Sequence, residues 1–278
     1  MLTTTIDGLR VLQVLTGIEV LAPELGLRPT LPSLETVQLA LTHPITDEFR
    51  AAGVLNEADE VDATVVEWLT VLTRRDIALL IRMQIPDDPA RCSRALLVRF
   101  AQWWAVLERS EEFVRVSGGG TSSAEEAANA VLNAQIERLC GTIPPAPLRP
   151  VTLDVDTLLT GVTDAETLRA YLGDQRLDGD QLRILTISAD PNRSTQASIV
   201  ALQSGVETGA ATRIHVEPSA VTIIDTPEGR LVAEQVRTAE KKWMVIAPGT
   251  ATNIAAAVNQ MLRRLPADQD WHSYRKAV

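Results

Sequence analysis

"TTIDGLRVLQVLTG" runs from Thr4 to Gly17, and "PVTLDVDTLLTG" runs from Pro150 to Gly161. Each sets a Thr, an apolar residue and an Asp ahead of a leucine-rich run that closes Leu-Thr-Gly. One opening at the head of the chain and a second past its middle predict an internal duplication. Between them, "GTIPPAPLRP" at Gly141 to Pro150 holds four prolines in ten residues. Proline fixes its own φ and pushes its predecessor out of the helical region, so this stretch is neither helix nor central strand. The expected organisation is one domain made of two related halves, 1–140 and 151–278, joined by a linker at 141–150.

The halves read alike. After the opening helix, the first half passes through the irregular "LAPELGLRPTLPS" and helical segments around Leu34–Leu41, Thr46–Ala52 and Val61–Leu72. Strand-like runs follow in "DIALLIRMQI", "RALLVRFAQWWAVLER" and "EEFVRVSG", rich in β-branched and aromatic residues. The turn-forming "PDDPA" argues for antiparallel pairing. "TSSAEEAANAVLNAQIERLCG" closes the half as a helix, with Ser122 or Ser123 as expected caps and Gly141 as its stop. The second half repeats this order. "DAETLRAYLGDQ" and "DGDQLRILTISA" read as helices, and "QASIVALQSG", "SAVTIIDT", "GRLVAEQVR" and "KKWMVIAP" read as strands. "TATNIAAAVNQMLRRLP" is a closing helix capped by Thr250 or Thr252. The expected fold class is α+β: a central antiparallel sheet flanked by two helical bundles in quasi-two-fold relation.

With 278 residues, 45% hydrophobic and 22% charged, the chain has the composition of a globular protein with a sizeable core. A net charge of −10 argues against nucleic-acid binding, which needs a basic face. The doublets Arg74-Arg75, Lys241-Lys242 and Arg263-Arg264 fall in different elements. The opening residues lack the layout of a signal peptide, and no apolar run approaches the ~18 residues of a membrane span. The expected compartment is the cytoplasm, with Cys92 and Cys140 as free thiols.

No chemistry-bearing motif stands out. "SGGGTSS" at Ser117 to Ser123 lacks the Gly-Lys-Ser/Thr of a phosphate loop and reads as a flexible strand-to-helix connection. His43, His215 and His272 have no metal-ligand spacing. Catalytic residues, metals and cofactors are all expected to be absent. "QWWAV" is more informative, because adjacent strand residues face opposite ways. Trp103 and Trp104 cannot share one core, which suggests a partly open sheet face.

Taken in order, "TTIDGLRVLQVL", "APELGLRP", "AAGVL", "RRDIALL", "EGRLV", "WMVIAPGT" and the closing "RRLP" make the chain similar to the EspG family. These are the cytosolic specificity factors of mycobacterial type VII (ESX) secretion. The similarity spreads over nearly the whole chain, and the opening looks closest to the branch belonging to the second ESX locus. The resemblance implies a chaperone that grips the apolar tip of the PPE protein in a PE–PPE heterodimer and directs it to the cognate secretion machine. It also implies contacts at Gln203, Arg230, Val232, Glu234, Gln235, Val236 and Met244, with the turn around Pro86 to Pro89 as a contributing edge. The competing expectation is a structural protein that self-associates, for example as a homodimer, through an exposed edge strand such as "SAVTIIDT".

Overall fold

The computed structural model describes residues 1–20, 22–27, 36–86, 93–205, 214–238 and 241–276. Among these, the first half runs β1 (Leu2–Thr5), α1 (Ile6–Thr16), α2 (Val37–Leu41), α3 (Pro44–Ala51), α4 (Ala63–Arg74), β2 (Ile77–Gln84), β3 (Ser93–Phe100), β4 (Trp103–Ser110), β5 (Phe113–Thr121) and α5 (Glu125–Cys140). The second half runs β6 (Val151–Asp154), α6 (Val155–Gly161), α7 (Ala165–Gly173), α8 (Gly179–Ser188), β7 (Thr195–Ser204), β8 (Ile214–Val216), β9 (Val221–Thr226), β10 (Gly229–Arg237), β11 (Lys242–Pro248) and α9 (Ala251–Leu262).

Both leucine-rich openings are a short strand that turns directly into a helix. Thr5 caps α1, its Oγ1 accepting from the Gly8 N–H at 3.0 Å, and Gly17 ends the helix with φ 67°. Asp154 caps α6, its Oδ1 accepting from the Asp156 and Thr157 amides at 3.0 and 3.1 Å. Thr and Asp both serve as caps, so Thr5 and Asp154 are the equivalent positions. The shared Thr-apolar-Asp reading is therefore two residues out of step, since Asp7 already lies in the first turn of α1. The strands β1 and β6 carry no strand signal of their own, because four residues leading straight into a helix leave no turn between them.

The described strands form one eleven-stranded sheet in the order β1-β5-β4-β3-β2-β7-β9-β10-β11-β6, with β8 beside the end of β7. Adjacent strands are antiparallel throughout. At the centre β2 pairs with β7, Leu80 opposite Val200. Outward from that pair, each half lays down its strands in the same order. The strand "SAVTIIDT" is not an edge: β9 is paired on one side with β7 and on the other with β10. Its run of apolar residues reflects burial on both faces.

Alternation along the strands sorts the core into two layers. On one face, α1, α3 and α4 pack over Ala78, Leu80, Leu96, Val98, Ala105 and Leu107. On the same face, α7 and α8 pack over Leu153, Leu231, Ala233 and Ile246. Both bundles of the expected architecture are thus present, side by side above the two halves of the sheet. The reverse face, which β2 lines with Ile77, Leu79 and Ile81, is covered by α5, α9 and the fully buried Trp271.

The glycines of "SGGGTSS" lie inside β5 rather than in a loop. A Cβ on Gly118 would fall 2.9 Å from the Trp68 indole nitrogen, and one on Gly119 would fall 2.9 Å from the Trp104 Cβ. Gly118 makes room for the Trp68 indole, and Gly119 for the neighbouring β4 chain at Trp104 and Ala105. Gly118→Val is expected to cost about 1–3 kcal/mol through overpacking, seen as a lower urea midpoint. An unchanged midpoint would show that Trp68 swings aside freely. Ser122 is also not the cap of α5. Its Oγ accepts from the Trp104 indole N–H at 2.8 Å, and Ala124 occupies the cap position without a side-chain bond.

Candidate partner-binding trough

The two bundles leave the middle of their shared face open. Pairing puts Arg82 of β2 opposite both Arg94 of β3 and Ser198 of β7, all on the bundle side with Leu80. Leu80 is covered, whereas Arg82, Gln84 and Arg94 are exposed and Gln196, Ser198, Val200 and Thr222 are half-buried. Farther across, Gln235 of β10 and Met244 of β11 stand opposite each other on the same face at half burial, Met244 packing at the margin of the second bundle's core. The result is a trough with a mixed floor. It is basic at the β3–β2 end, and its apolar points are Val200 and Met244.

Beside this trough, α6, α7 and the end of α8 enclose a groove of about 630 Å³, lined in part by Leu158, Leu159, Val162, Leu168 and Pro191. Leu159 is 72% exposed. The end of α8 is tied to β7 by the Gln196 side-chain amide, which donates to the Ser188 carbonyl at 3.3 Å. Asp164, Arg169, Asp190 and Arg193 also line the groove, and its apolar part costs free energy in water until something covers it.

A sequence model described as the EspG family matches residues 5–260. The chain belongs to the EspG family. It is 50% identical over 278 residues, the whole of both chains, to the ESX-2 secretion-associated protein EspG2 of Mycobacterium tuberculosis, strains CDC 1551 / Oshkosh and H37Rv. It is 26% identical over 249 residues to the ESX-3 secretion-associated protein EspG3 of Mycolicibacterium smegmatis, covering 82% of this chain and 80% of that relative. Among solved structures, it is similar to the Mycobacterium tuberculosis type VII secretion system chaperone EspG5 in complex with the PE25–PPE41 dimer. That match has a TM-score of 0.73 at 20% identity, over 98% of this chain and 99% of the other. At that identity the match shows the shared α+β fold.

The seven positions singled out from the EspG resemblance fall into three groups. Gln203, Arg230 and Val232 are buried, at 2%, 4% and 4% exposure. The Gln203 Oε1 accepts from the Ala267 amide at 2.9 Å, and Val232 belongs to the core under α9. Arg230 holds the linker, its guanidinium donating to the Gly141 and Cys140 carbonyls at 2.7 Å each. Glu234 and Val236 are half-buried on the reverse face, sharing its parity with Val232. Burial pushes the Glu234 carboxyl upward, and Arg264 offsets this only in part; the Glu234 Oε2 has no hydrogen-bond partner. Gln235 and Met244 alone lie on the trough. A one-residue step along a strand changes face, and the sequence carries no marker of which parity is open.

Other candidates from this EspG sequence disperse. The His43 Nδ1 accepts from the Ile45 N–H at the start of α3, His215 sits on β8, and His272 ends the turn Asp268–His272. Among the described residues, no group of three or more His, Cys, Asp or Glu could hold a metal. Cys140 ends α5, its thiol pushed up to about 11 by burial, while Cys92 and Asp87 to Pro89 lie outside the described residues. Trp104 is buried at 3% and Trp103 is 39% exposed, as opposite strand faces require. No helix among the described residues is long and apolar enough to cross a membrane. The family resemblance did not point to Val200, Arg82, Arg94 or Leu159. The arginines become visible as a pair only once the β2–β3 register is known.

Proposed function

We propose that this EspG chain is a cytosolic specificity chaperone. It takes the apolar tip of the PPE protein in a PE–PPE heterodimer, keeps the pair soluble and delivers it to the cognate type VII secretion system. The observation that carries this reading is the open trough and the adjoining leucine-lined groove, on a fold shared with a chaperone solved in complex with a PE–PPE dimer. The task needs binding without bond chemistry. Burying an apolar helical tip against Val200, Met244 and the groove removes both surfaces from water. Gln235 supplies polar contacts on the same floor, while Glu234 and Val236 lie at the strand end on the reverse face. The buried trio Gln203, Arg230 and Val232 shapes the sheet beneath.

The test is solubility. The PPE protein of the pair encoded beside the gene, expressed with its PE partner, is expected to move from the insoluble to the soluble fraction when this chain is co-expressed. Equal solubility with and without the chain would remove the chaperone reading. Self-association is the second reading, and β8 favours it. That short strand beside the end of β7 exposes Ile214 and Val216 at 40% and 52%.

A further inference from the structure

Arg82, Arg94 and Arg109 stand directly opposite one another on β2, β3 and β4, all on the bundle face. Like charges placed opposite across neighbouring strands destabilise a sheet. Ordinarily an interleaved carboxylate relieves them. Here, among the described residues, no carboxylate pairs with any of the three. Glu24, the acid of the adjoining turn Pro23–Leu25, is held by Arg75 at 3.0 Å. Arg109 turns inward and donates to the Leu25 carbonyl at 2.7 Å and to the Gly26 carbonyl. Those are neutral acceptors, which satisfy its N–H groups and leave its charge in place. Arg94 approaches the same turn: a Cβ on Gly26 would lie 3.3 Å from an Arg109 Nη1 and 3.4 Å from the Arg94 Nη1. Arg82 and Arg94 remain exposed at the mouth of the trough.

A chain with net charge −10 repels an acidic partner over most of its surface. A local row of guanidinium groups at one end of its open trough places positive charge where a partner would enter. We infer that Arg82 and Arg94 form a carboxylate-receiving site, which binds an acidic side chain flanking the apolar tip of the protein partner and fixes the direction in which the tip lies in the trough. This rests on the chaperone reading above. Planar guanidinium forks suit carboxylates because two parallel N–H···O bonds can form at once. With Arg109 behind them held by backbone carbonyls, the pair has a fixed floor. The groove of the second bundle lies beyond β7 from the arginine pair, where Leu158, Leu159, Val162 and Leu168 offer the tip apolar contacts.

The test co-expresses the full chain with the PE–PPE pair encoded beside its gene, labels the purified complex and follows its dissociation on dilution at several salt concentrations. Wild-type affinity is expected to fall as salt rises. R82E/R94E is expected to bind at least about tenfold more weakly, with the salt dependence flattened or inverted. R82Q/R94Q, which adds no new charge, should retain the fold and show a smaller loss in the same direction. Changing the partner's acidic tip residues singly to lysine should find one position that restores binding to R82E/R94E. Unchanged affinity and salt dependence in both variants, with wild type binding normally, would overturn the carboxylate site and leave the chaperone reading standing. Failure of wild type to bind would overturn both. If the variants lose only a DNA oligonucleotide or inorganic phosphate and keep the protein partner, the row serves another anion and the inference is wrong.

Discussion

Replacing Arg230 by methionine is expected to destabilise the protein by about 3–5 kcal/mol, the usual cost of stranding one member of a buried ion pair. The Arg230 and Asp225 side chains are only 5% and 14% exposed, and Nε meets Oδ1 at 2.6 Å. A second bond joins Nη2 to Oδ2 at 2.8 Å. The same guanidinium takes the last carbonyl of α5 and the first of the linker. The Arg230 backbone completes the joint: its N–H donates to the Pro144 carbonyl at 2.8 Å, and its carbonyl accepts from Ala146 at 2.9 Å and Gly249 at 2.7 Å. One residue therefore fixes the proline-rich linker to β10. Removing the cation leaves Asp225 uncompensated and two carbonyls without their donor. The double variant R230M/D225V should regain a large part of the loss, because it removes the stranded charge. Urea unfolding measures both variants. A midpoint shift worth less than about 1 kcal/mol for the single variant would show that the prolines dock the linker unaided. A charge reversal at Arg230 therefore disturbs the fold before it can report on a partner.

Leu159→Asp is expected to weaken partner binding about a hundredfold while leaving the unfolding midpoint unchanged. The two effects separate because of where the residue sits. Leu159 is 72% exposed on α6, so the free protein loses almost no packing when it is replaced, and surface changes of this kind stay within about 0.5 kcal/mol. In a complex that buries it, an aspartate would be desolvated among Leu158, Val162 and Leu168. Central anchor residues at interfaces cost about 2 kcal/mol or more when lost, and a charge in their place costs further. Dissociation of the co-expressed, labelled complex on dilution, beside thermal unfolding of the free chain, reads both quantities. Normal affinity in L159D would move the contact off the groove and confine it to the sheet floor.

The sequence disclosed most of what repeats strongly. The interior strands and the capped helices announce themselves by alternation, β-branched content and Asp, Thr and Gly punctuation. Asp164 and Asp178 close capping boxes at α7 and α8. The edges were hidden, because β1 and β6 enter helices without a turn and β8 is three residues long. The site was only half legible for a related reason. "GRLVAEQVR" lies on β10, yet Arg230, Val232, Glu234 and Val236 point to one face while Gln235 points to the other. Nothing local says that the bundles leave the second face open at Gln235. Burial of Arg230 was equally unreadable, since its partner Asp225 lies across a hairpin and its two carbonyl acceptors lie about 90 residues earlier in the chain. Long-range bonds of this kind leave no periodic trace.

The central claim is that this EspG chain holds a PE–PPE pair in the trough between its bundles. It is tested most directly by co-expressing the chain with the pair encoded beside its gene, then measuring the mass of the purified mixture by size exclusion with light scattering. One peak with the summed mass of one PE, one PPE and one 30.2 kDa copy of this chain, lost with L159D, is the predicted result. A folded chain that elutes apart from a folded PE–PPE pair would contradict the account.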